Sequence, residues 1–391
     1  GGLDVLENRV ESTVWFHSCR DDKNIYAVEH SSNILMQIDK STYQVKALCQ
    51  LSNFKRKEQA RTLYTCLYEN RIYVFAIDEN EVAEYDLETR KLRYFYPESR
   101  IRLSKAMVIF RDGDTVLSFG GSGEEYVCMF SLKNQKYEYK KLIAKKGQVV
   151  AARANYEEPL CLVEREVWRC VFDTNIVYSI NIDTLEVKSY KLEGQTGFWS
   201  ILYQNECFFI LSVDGKTITC WDKEREITKV WETGYKGYKE IPYRELIPVR
   251  NGFLLPSARE RRSILNVTLL ENGQVERTEL SIPKSFIDLI DVYKVRFQFL
   301  DYFIENNKLY FSPFCSNGML EVDMQTFDVG YHSVQMEAQE YLDICYEAQK
   351  MLPEEVFGID GLVRNIMKRT KSLHNNESAI GQKCWEIVKD I

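Results

Sequence analysis

A seven-residue turn pattern recurs along this chain at nearly even intervals, and it constrains the fold more than any other feature of the sequence. In the pattern, an Asp-like residue is followed by Thr or Asn three positions later and by an apolar residue six positions later. The copies are "DKSTYQV" from Asp39, "DLETRKL" from Asp86, "SLKNQKY" from Ser131, "NIDTLEV" from Asn181, a shortened "DKEREI" from Asp222, "LLENGQV" from Leu269 and "DMQTFDV" from Asp323. Their starts lie 41 to 54 residues apart, a spacing typical of a fold built from internal repeats.

Each copy predicts a β-hairpin turn. Side chains of Asp, Asn and Thr accept hydrogen bonds from nearby backbone N–H groups, while the flanking apolar residues enter strands. A single pattern of this kind is common in any β protein. Seven copies at similar spacing indicate seven equivalent structural units.

Each unit also contains three apolar runs before its turn, which gives four strands in about 47 residues. The first runs are "TVWFHSC", "TLYTCLY", "AMVIF", "PLCLV", "FWSILY", "ELIPV" and "FQFLDYFI". Aromatic residues make up 13% of the chain, with 24 Tyr and 20 Phe, and this enrichment favours strands. We therefore predict an all-β fold, a seven-bladed β-propeller of four-stranded blades with about 28 strands, over residues 1–334.

One unit carries a further signature, in "VLSFGGSGEEYVCMFSLKNQKYEYKKL" (116–142). Four apolar-type residues from Val116 precede Gly120 and Gly121, and Tyr126 and Tyr137 follow. This unit resembles a kelch repeat. The other units lack the double glycine, and the position that kelch repeats usually fill with Trp holds Val45, Leu92, Val187, Val275 and Val329. The resemblance implies a degenerate kelch-like propeller over about residues 14–335 and says little about function.

The hydrophobic period changes after Val334. Apolar residues then recur every three or four positions, and we predict three amphipathic helices in residues 335–391. Pro353 suits the first turn of the second helix, and Asn376 or Ser378 is a suitable cap for the third. This short C-terminal helical extension is expected to cover the propeller, or alternatively to dock on a partner or mediate dimerisation.

Charge and composition exclude several partners. The net charge is −7, with 51 basic and 58 acidic residues, so no basic field attracts nucleic acid or an anionic membrane. The chain has no apolar segment long enough for a membrane span. It has 11 Cys without a C-x-x-C pair and only four His, so we expect no metal site and no cofactor. Scattered cysteines inside apolar runs are typical of reduced thiols, and this predicts a cytoplasmic protein.

Sequence motifs for catalysis are missing. We find no G-x-S-x-G, H-E-x-x-H or P-loop pattern, and the glycines at 120, 121 and 123 precede a predicted strand instead of the helix that a phosphate loop requires. His17, in "VWFHSCRDD", lies near an innermost strand. It is either a packed, hydrogen-bonded residue or an acid or base facing the central channel.

Residues at the starts of the innermost strands predict a ligand site. One residue from each blade converges around the axial mouth of a propeller. In the register used here these residues are Trp15, Arg61, Lys105, Arg153, Trp199, Arg244 and Arg296. Five cations and two indoles suit an anionic or saccharide ligand. A one-residue slip in register would turn these side chains to the other face.

The sequence therefore favours a non-catalytic binding module that engages a peptide, a partner protein or an anionic saccharide at the axial mouth. The alternative is a carbohydrate-active or sugar-isomerising enzyme on the same fold, which the kelch-like resemblance implies and no motif supports. An enzyme requires a general acid or base within hydrogen-bond reach of its substrate, so a carboxylate or His at the mouth distinguishes the two.

Overall fold

The computed structural model describes residues 13–14, 17–29, 33–51, 63–76, 81–97, 108–119, 126–145, 159–195, 197–237, 241–257, 263–288, 299, 301–316 and 318–334. Within these ranges the chain forms seven four-stranded antiparallel sheets and one additional strand pair. The predicted seven-bladed all-β propeller is thus confirmed, with 28 strands in its blades. The predicted C-terminal helices, the boundary at residue 335 and the double glycine at 120 and 121 lie outside the described residues.

Residues 13–141 form β1 and the first three blades. The strands are β1 (Thr13–Val14), β2 (Ser18–Arg20), β3 (Asn24–Glu29), β4 (Ile34–Asp39), β5 (Val45–Gln50), β6 (Leu63–Tyr68), β7 (Arg71–Ala76), β8 (Glu81–Asp86), β9 (Leu92–Phe95), β10 (Val108–Asp112), β11 (Thr115–Phe119), β12 (Tyr126–Ser131) and β13 (Lys136–Lys141). Blade 1 contains β2 to β5, blade 2 contains β6 to β9, and blade 3 contains β10 to β13.

The remaining four blades follow in chain order. Their elements are β14 (Cys161–Val163), β15 (Glu166–Cys170), β16 (Ile176–Asn181), β17 (Val187–Lys191), β18 (Phe198–Gln204), β19 (Cys207–Ser212), β20 (Thr217–Asp222), β21 (Ile227–Glu232), β22 (Ile247–Val249), β23 (Gly252–Pro256), β24 (Ile264–Leu269), β25 (Val275–Glu279), α1 (Lys284–Asp288), β26 (Tyr302–Glu305), β27 (Lys308–Phe311), β28 (Phe314–Ser316), β29 (Gly318–Asp323) and β30 (Val329–Ser333). Blades 4, 5 and 6 take four consecutive strands each, starting at β14, β18 and β22. Blade 7 contains β26, β27, β29 and β30.

The core is divided among the seven interfaces between blades. Each of seven buried apolar clusters draws its residues from two neighbouring blades, and one cluster joins blade 7 to blade 1. Phe130 of blade 3, for example, packs against Phe75 of blade 2 with ring centroids 5.7 Å apart. Burial of both faces of every sheet explains why the second and third strands are nearly continuous apolar runs.

The repeated turn joins the third and fourth strand of each blade, as predicted. In blade 1, Oδ1 of Asp39 accepts hydrogen bonds from the backbone N–H groups of Ser41 (2.7 Å) and Thr42 (3.0 Å). The first residues Asp86, Asn181, Asp222 and Asp323 make the same pair of bonds in their own turns. The fifth residue of each turn has a positive φ, from 55° to 61° at Tyr43, Arg90, Gln135, Leu185, Glu226 and Phe327 and 82° at Gly273.

Non-local contacts close the ring between blade 7 and blade 1. The short strand β1 pairs with β28, which the chain inserts between the second and third strands of blade 7. Lys40 of blade 1 forms an ion pair with Glu305 of blade 7 at 2.8 Å. The sequence pattern predicted neither this strand pair nor α1, because both arise outside the repeated unit.

Candidate functional site at the propeller axis

The first strand of each blade lies nearest the propeller axis. It is the terminal strand of its sheet, so a second strand covers only one of its edges. First strands of neighbouring blades contact each other, as β2 contacts β6 and β14 contacts β18. Their free inner edges therefore border the axial opening.

One position recurs on all seven first strands, close to the hairpin that leads into the second strand. At this position Leu67 pairs with Ile72 in blade 2, and Arg111 pairs with Val116 in blade 3. We call the set the axial ring. It consists of Arg20, Leu67, Arg111, Leu162, Tyr203, Pro248 and Ile304.

Members of the axial ring are more exposed than their neighbours on the same strands. Five of the seven are exposed, and Leu67 and Pro248 are half-buried. The residues immediately before them include Cys66, Phe110 and Ile247, which are buried in clusters between blades. Farther from the hairpin, side chains on both faces of a first strand pack between blades, as Ile201 and Trp199 do in blade 5, so the exposed position lies at the hairpin end of the strand.

A pocket of about 410 Å³ opens beside the axial ring, between blades 7, 1, 2 and 3. Its polar and charged lining consists of His17, Ser18, Arg20, Thr65, Arg111 and Asp301. Pockets of this volume accommodate a small molecule or a few side chains of a peptide. The pocket places one imidazole, one carboxylate and two guanidinium groups around a common space.

His17 is fixed by contacts with blade 2. Its Nδ1 atom accepts a hydrogen bond from the Thr65 backbone N–H at 3.4 Å, and its ring packs on Tyr64 with centroids 4.3 Å apart. Burial lowers the pKa of His17 below 6.5 and outweighs the opposing influence of Asp301 and of the Thr65 hydrogen bond. The imidazole is therefore neutral at pH 7, with its hydrogen on Nε2.

Asp301 supplies the carboxylate of the pocket. Its Oδ2 atom accepts hydrogen bonds from the Ser18 N–H (3.1 Å), the Ser18 hydroxyl (2.9 Å) and the Ser312 hydroxyl (2.9 Å). The hydrogen bonds described for this carboxylate all fall on Oδ2, so Oδ1 has no partner among the described residues. These hydrogen bonds hold the carboxylate in one orientation directly before β26, the first strand of blade 7.

Aromatic rings and backbone carbonyls hold the two guanidinium groups in place. Arg20 lies over the ring of Phe303, with 4.5 Å between its Cζ atom and the ring centroid. Arg111 lies over Tyr68 at 5.2 Å, and it donates to the carbonyls of Gly113 (2.6 Å) and Leu67. Both groups remain exposed to solvent.

Cysteine thiols in the pocket wall are poor nucleophiles. Burial raises the pKa of Cys66 to about 12, and burial together with the neighbouring Cys66 raises the pKa of Cys19 further. A thiol is reactive as its thiolate, which these values disfavour at pH 7. Among the described residues, no cluster of three or more His, Cys, Asp or Glu side chains is arranged to hold a metal ion.

Three of the eight residues predicted to bind a ligand lie in the described part of the chain. His17 lines the pocket. Trp199 is only 1% exposed, and its Nε1–H donates to the Arg244 carbonyl at 2.8 Å. The buried Arg244 guanidinium pairs with Glu245. The remaining predicted residues, Trp15, Arg61, Lys105, Arg153 and Arg296, lie outside the described residues.

The structure therefore brings Trp199 and Arg244 together in the interior between blades 5 and 6, not on an open rim. Trp199 lies at a register irregularity near the start of β18, and its side chain packs in the cluster between blades 5 and 6. The exposed axial positions lie at the other end of the first strands. The sequence did contain a sign of the exposed position in blade 3. Arg111 is a charged residue directly before the hairpin residues of "FRDGDT", and this pattern could have identified it.

The comparisons with known proteins support the fold alone. No protein-family model matches the sequence, and no curated protein matches it. A streptogramin B lyase structure aligns with TM-score 0.51 and 10% identity, over 83% of this chain and 95% of the other. A mitotic checkpoint complex structure aligns with TM-score 0.48 and 9% identity, over 77% and 84%. The streptogramin B lyase alignment agrees with the seven-bladed β-propeller fold that the strand order shows. In the described part of the chain, no helix is both long and apolar enough to cross a bilayer.

Proposed function

We propose that this propeller is a non-catalytic binding module that holds its ligand at the axial ring and the adjoining pocket. The main support for the proposal is the position of the exposed apolar side chains, most of which lie on or beside the first strands. Of the six exposed large apolar side chains among the described residues, four lie on or beside first strands: Leu160 (43% exposed), Leu162 (39%), Tyr203 (38%) and Ile304 (46%). Exposed apolar side chains grouped at one place on a folded surface mark a binding site.

Groups in the pocket also favour binding over reaction. The thiols are protonated, and the Arg20 and Arg111 side chains are already held by rings and carbonyls. Side chains ordered before the ligand arrives lose less conformational entropy on binding. The kelch-like character of the repeat belongs to the same proposal, and its support is the run from Val116 with Tyr126 and Tyr137.

The enzymatic alternative has one specific observation in its favour. His17 and Asp301 line the same pocket, and a neutral imidazole beside a carboxylate is a suitable pair for general acid and base catalysis. A saccharide or other small polar substrate would be the reactant. Binding and turnover are therefore to be measured on the same ligands.

The experiment measures binding of the full chain to panels of peptides, glycans and small carboxylates by fluorescence anisotropy. Leu67→Trp fills the pocket, and Ile143→Trp is the control because Ile143 is exposed away from the axis. The proposal expects ligands whose binding is lost in Leu67→Trp and retained in Ile143→Trp, and which mass spectrometry recovers unchanged. Ligands that bind both variants equally would contradict the axial site. Conversion of a bound ligand that stops in His17→Asn would establish the enzymatic alternative.

A further inference from the structure

We infer that the ligand of the axial ring is a peptide segment of a partner protein that carries an apolar side chain next to an acidic one. This inference rests on the proposed function and specifies its ligand. It follows from the unequal distribution of side-chain chemistry around the axial ring. Three consecutive blades contribute one kind of surface, and the other four contribute another.

Blades 4 to 7 form an apolar arc. Its ring members are Leu162, Tyr203, Pro248 and Ile304, and Leu160 extends the arc along blade 4. Tyr203 packs on Phe208 with ring centroids 4.8 Å apart, which fixes its exposed ring at the opening. Burying this surface under an apolar side chain of a ligand is favourable at roughly 25 cal/mol for each Å² removed from water.

Blades 1 to 3 form a cationic arc, in which Arg20 and Arg111 flank Leu67. Each guanidinium is exposed and is held by an aromatic ring of a neighbouring strand. A guanidinium offers paired N–H groups that match a carboxylate. Because Arg111 uses Nε and Nη1 for backbone carbonyls, its Nη2 atom is the one that a ligand carboxylate would meet.

Three acidic groups lie close to this arc: Asp301, which lines the same pocket and is bound through Oδ2 by Ser18 and Ser312, and Asp21 and Asp112, which follow the two arginines in the chain. Neither Arg20 nor Arg111 forms an ion pair among the described residues. Asp21 accepts hydrogen bonds from the Lys23 and Asn24 N–H groups and from the Tyr26 hydroxyl. Asp112 is bound through both carboxylate oxygens by Arg165, at 2.8 and 3.0 Å.

A peptide satisfies both arcs, and other ligand classes satisfy only one. A small inorganic anion would meet the arginines and leave the apolar arc in water. Nucleic acid requires many phosphate contacts, whereas two of the seven ring positions are cationic and the net charge is −7. A peptide with Leu, Ile or Phe beside Asp or Glu places each side chain against the arc of matching chemistry.

The experiment uses an array of twelve-residue peptides in a Gly-Ser background. Each holds one residue from Ala, Leu, Ile or Phe and one from Asp, Glu, Lys or Arg, separated by one to four positions. The full chain is applied to the array, and the strongest peptide is then titrated in solution up to about 1 mM. The expected result is selective binding of peptides that combine Leu, Ile or Phe with Asp or Glu.

Matched variants test the contribution of each arc. Arg111→Gln, Arg20→Gln and Ile304→Ser should each weaken binding about tenfold or more. Arg277→Gln and Ile143→Ser serve as controls and should leave affinity unchanged. Arg277 is an exposed arginine that donates to the Gly234 carbonyl, and Ile143 is exposed away from the axis. Arg111→Lys keeps the positive charge but loses the planar guanidinium group, so its peptide affinity should lie between those of wild type and Arg111→Gln.

Two outcomes would overturn the inference in different ways. Preferential binding of Lys or Arg peptides, lost in Ile304→Ser but not in the arginine variants, would refute the acidic ligand while leaving the axial binding function intact. Binding that all axial variants retain would refute the axial site as well. Absence of peptide binding at about 1 mM, together with axial binding of a glycan or small carboxylate, would replace the peptide by that ligand.

Discussion

Ser18 and Asp301 join the beginning and the end of the propeller. The N–H and hydroxyl groups of Ser18 both donate to Oδ2 of Asp301, across 283 residues of sequence, at 3.1 and 2.9 Å. The ring is thus closed by side-chain hydrogen bonds next to the candidate pocket. Closure and the candidate site share a carboxylate, so stability and binding are coupled at this point.

Asp301→Ala should lower the free energy of unfolding by about 2 kcal/mol, because it leaves the donors of Ser18 and Ser312 without their charged acceptor. Urea denaturation followed by tryptophan fluorescence measures the change. Glu193→Ala is the control, since its ion pair with Lys191 is exposed and should contribute less than about 0.5 kcal/mol. An Asp301→Ala variant as stable as this control would show that these bonds do not hold the ring closed.

Glycine at the fifth position of the repeated turn should make the protein more stable than a residue with a Cβ does. Arg90 has φ 56°, a conformation that disfavours residues with a Cβ, so Arg90→Gly should stabilise the protein by about 0.5 kcal/mol. Gly273 has φ 82° in the equivalent turn, and Gly273→Ala should destabilise it by about 1 kcal/mol. Differential scanning calorimetry measures both. Shifts of the same sign in the two variants would contradict a shared left-handed position.

His17 should make stability depend on pH near neutrality. Its pKa is lowered by burial, so the unfolded chain binds more protons than the folded chain below the ordinary value of 6.5. Stability contributed by the neutral imidazole is present above pH 6.5 and is lost as pH falls below it. Urea midpoints between about pH 5.5 and 7.5 should decline toward acid in wild type and flatten in His17→Asn. An equal decline in His17→Asn would assign the effect to other groups.

The buried Glu84 carboxylate should stabilise the interface between blades 2 and 3. It is 1% exposed, accepts from Arg93 Nε at 2.9 Å and from the Tyr73 hydroxyl at 2.5 Å, and also binds Gln135 from the blade 3 turn. Glu84→Ala should cost about 3 kcal/mol, because its donors lose a common acceptor. A double-mutant cycle with Gln135→Ala should give a coupling of about 1 kcal/mol across the interface. Additive losses would show that the Gln135 contact contributes nothing.

The fold could be predicted from the sequence because its key information is local. Asp39 and Asp323 accept hydrogen bonds from backbone N–H groups two and three residues further along the chain. Seven copies of this short pattern were therefore enough to predict seven blades. Closure by Ser18 and Asp301 could not be predicted in the same way, because no pattern links residues so far apart.

The site was only partly predictable for a related reason. The position of His17 beside an innermost strand pointed to the axis, and His17 lines the pocket. Trp199 was assigned to an open rim but is buried, because both faces of β18 pack against neighbouring blades at this end of the strand. The packing between blades and the register irregularity at Trp199 arise only in the folded sheet, so the sequence pattern does not contain them.

Hydrogen–deuterium exchange of the full chain, with and without its strongest array peptide, shows whether the ligand occupies the propeller axis. The first strands expose inner-edge backbone groups, so a ligand on the axis should slow exchange there. We expect new protection in segments covering β2, β10, β14 and β26, and unchanged exchange in the outer strands β9 and β17. Protection confined to the outer strands, with unchanged exchange along the axis, would contradict this expectation.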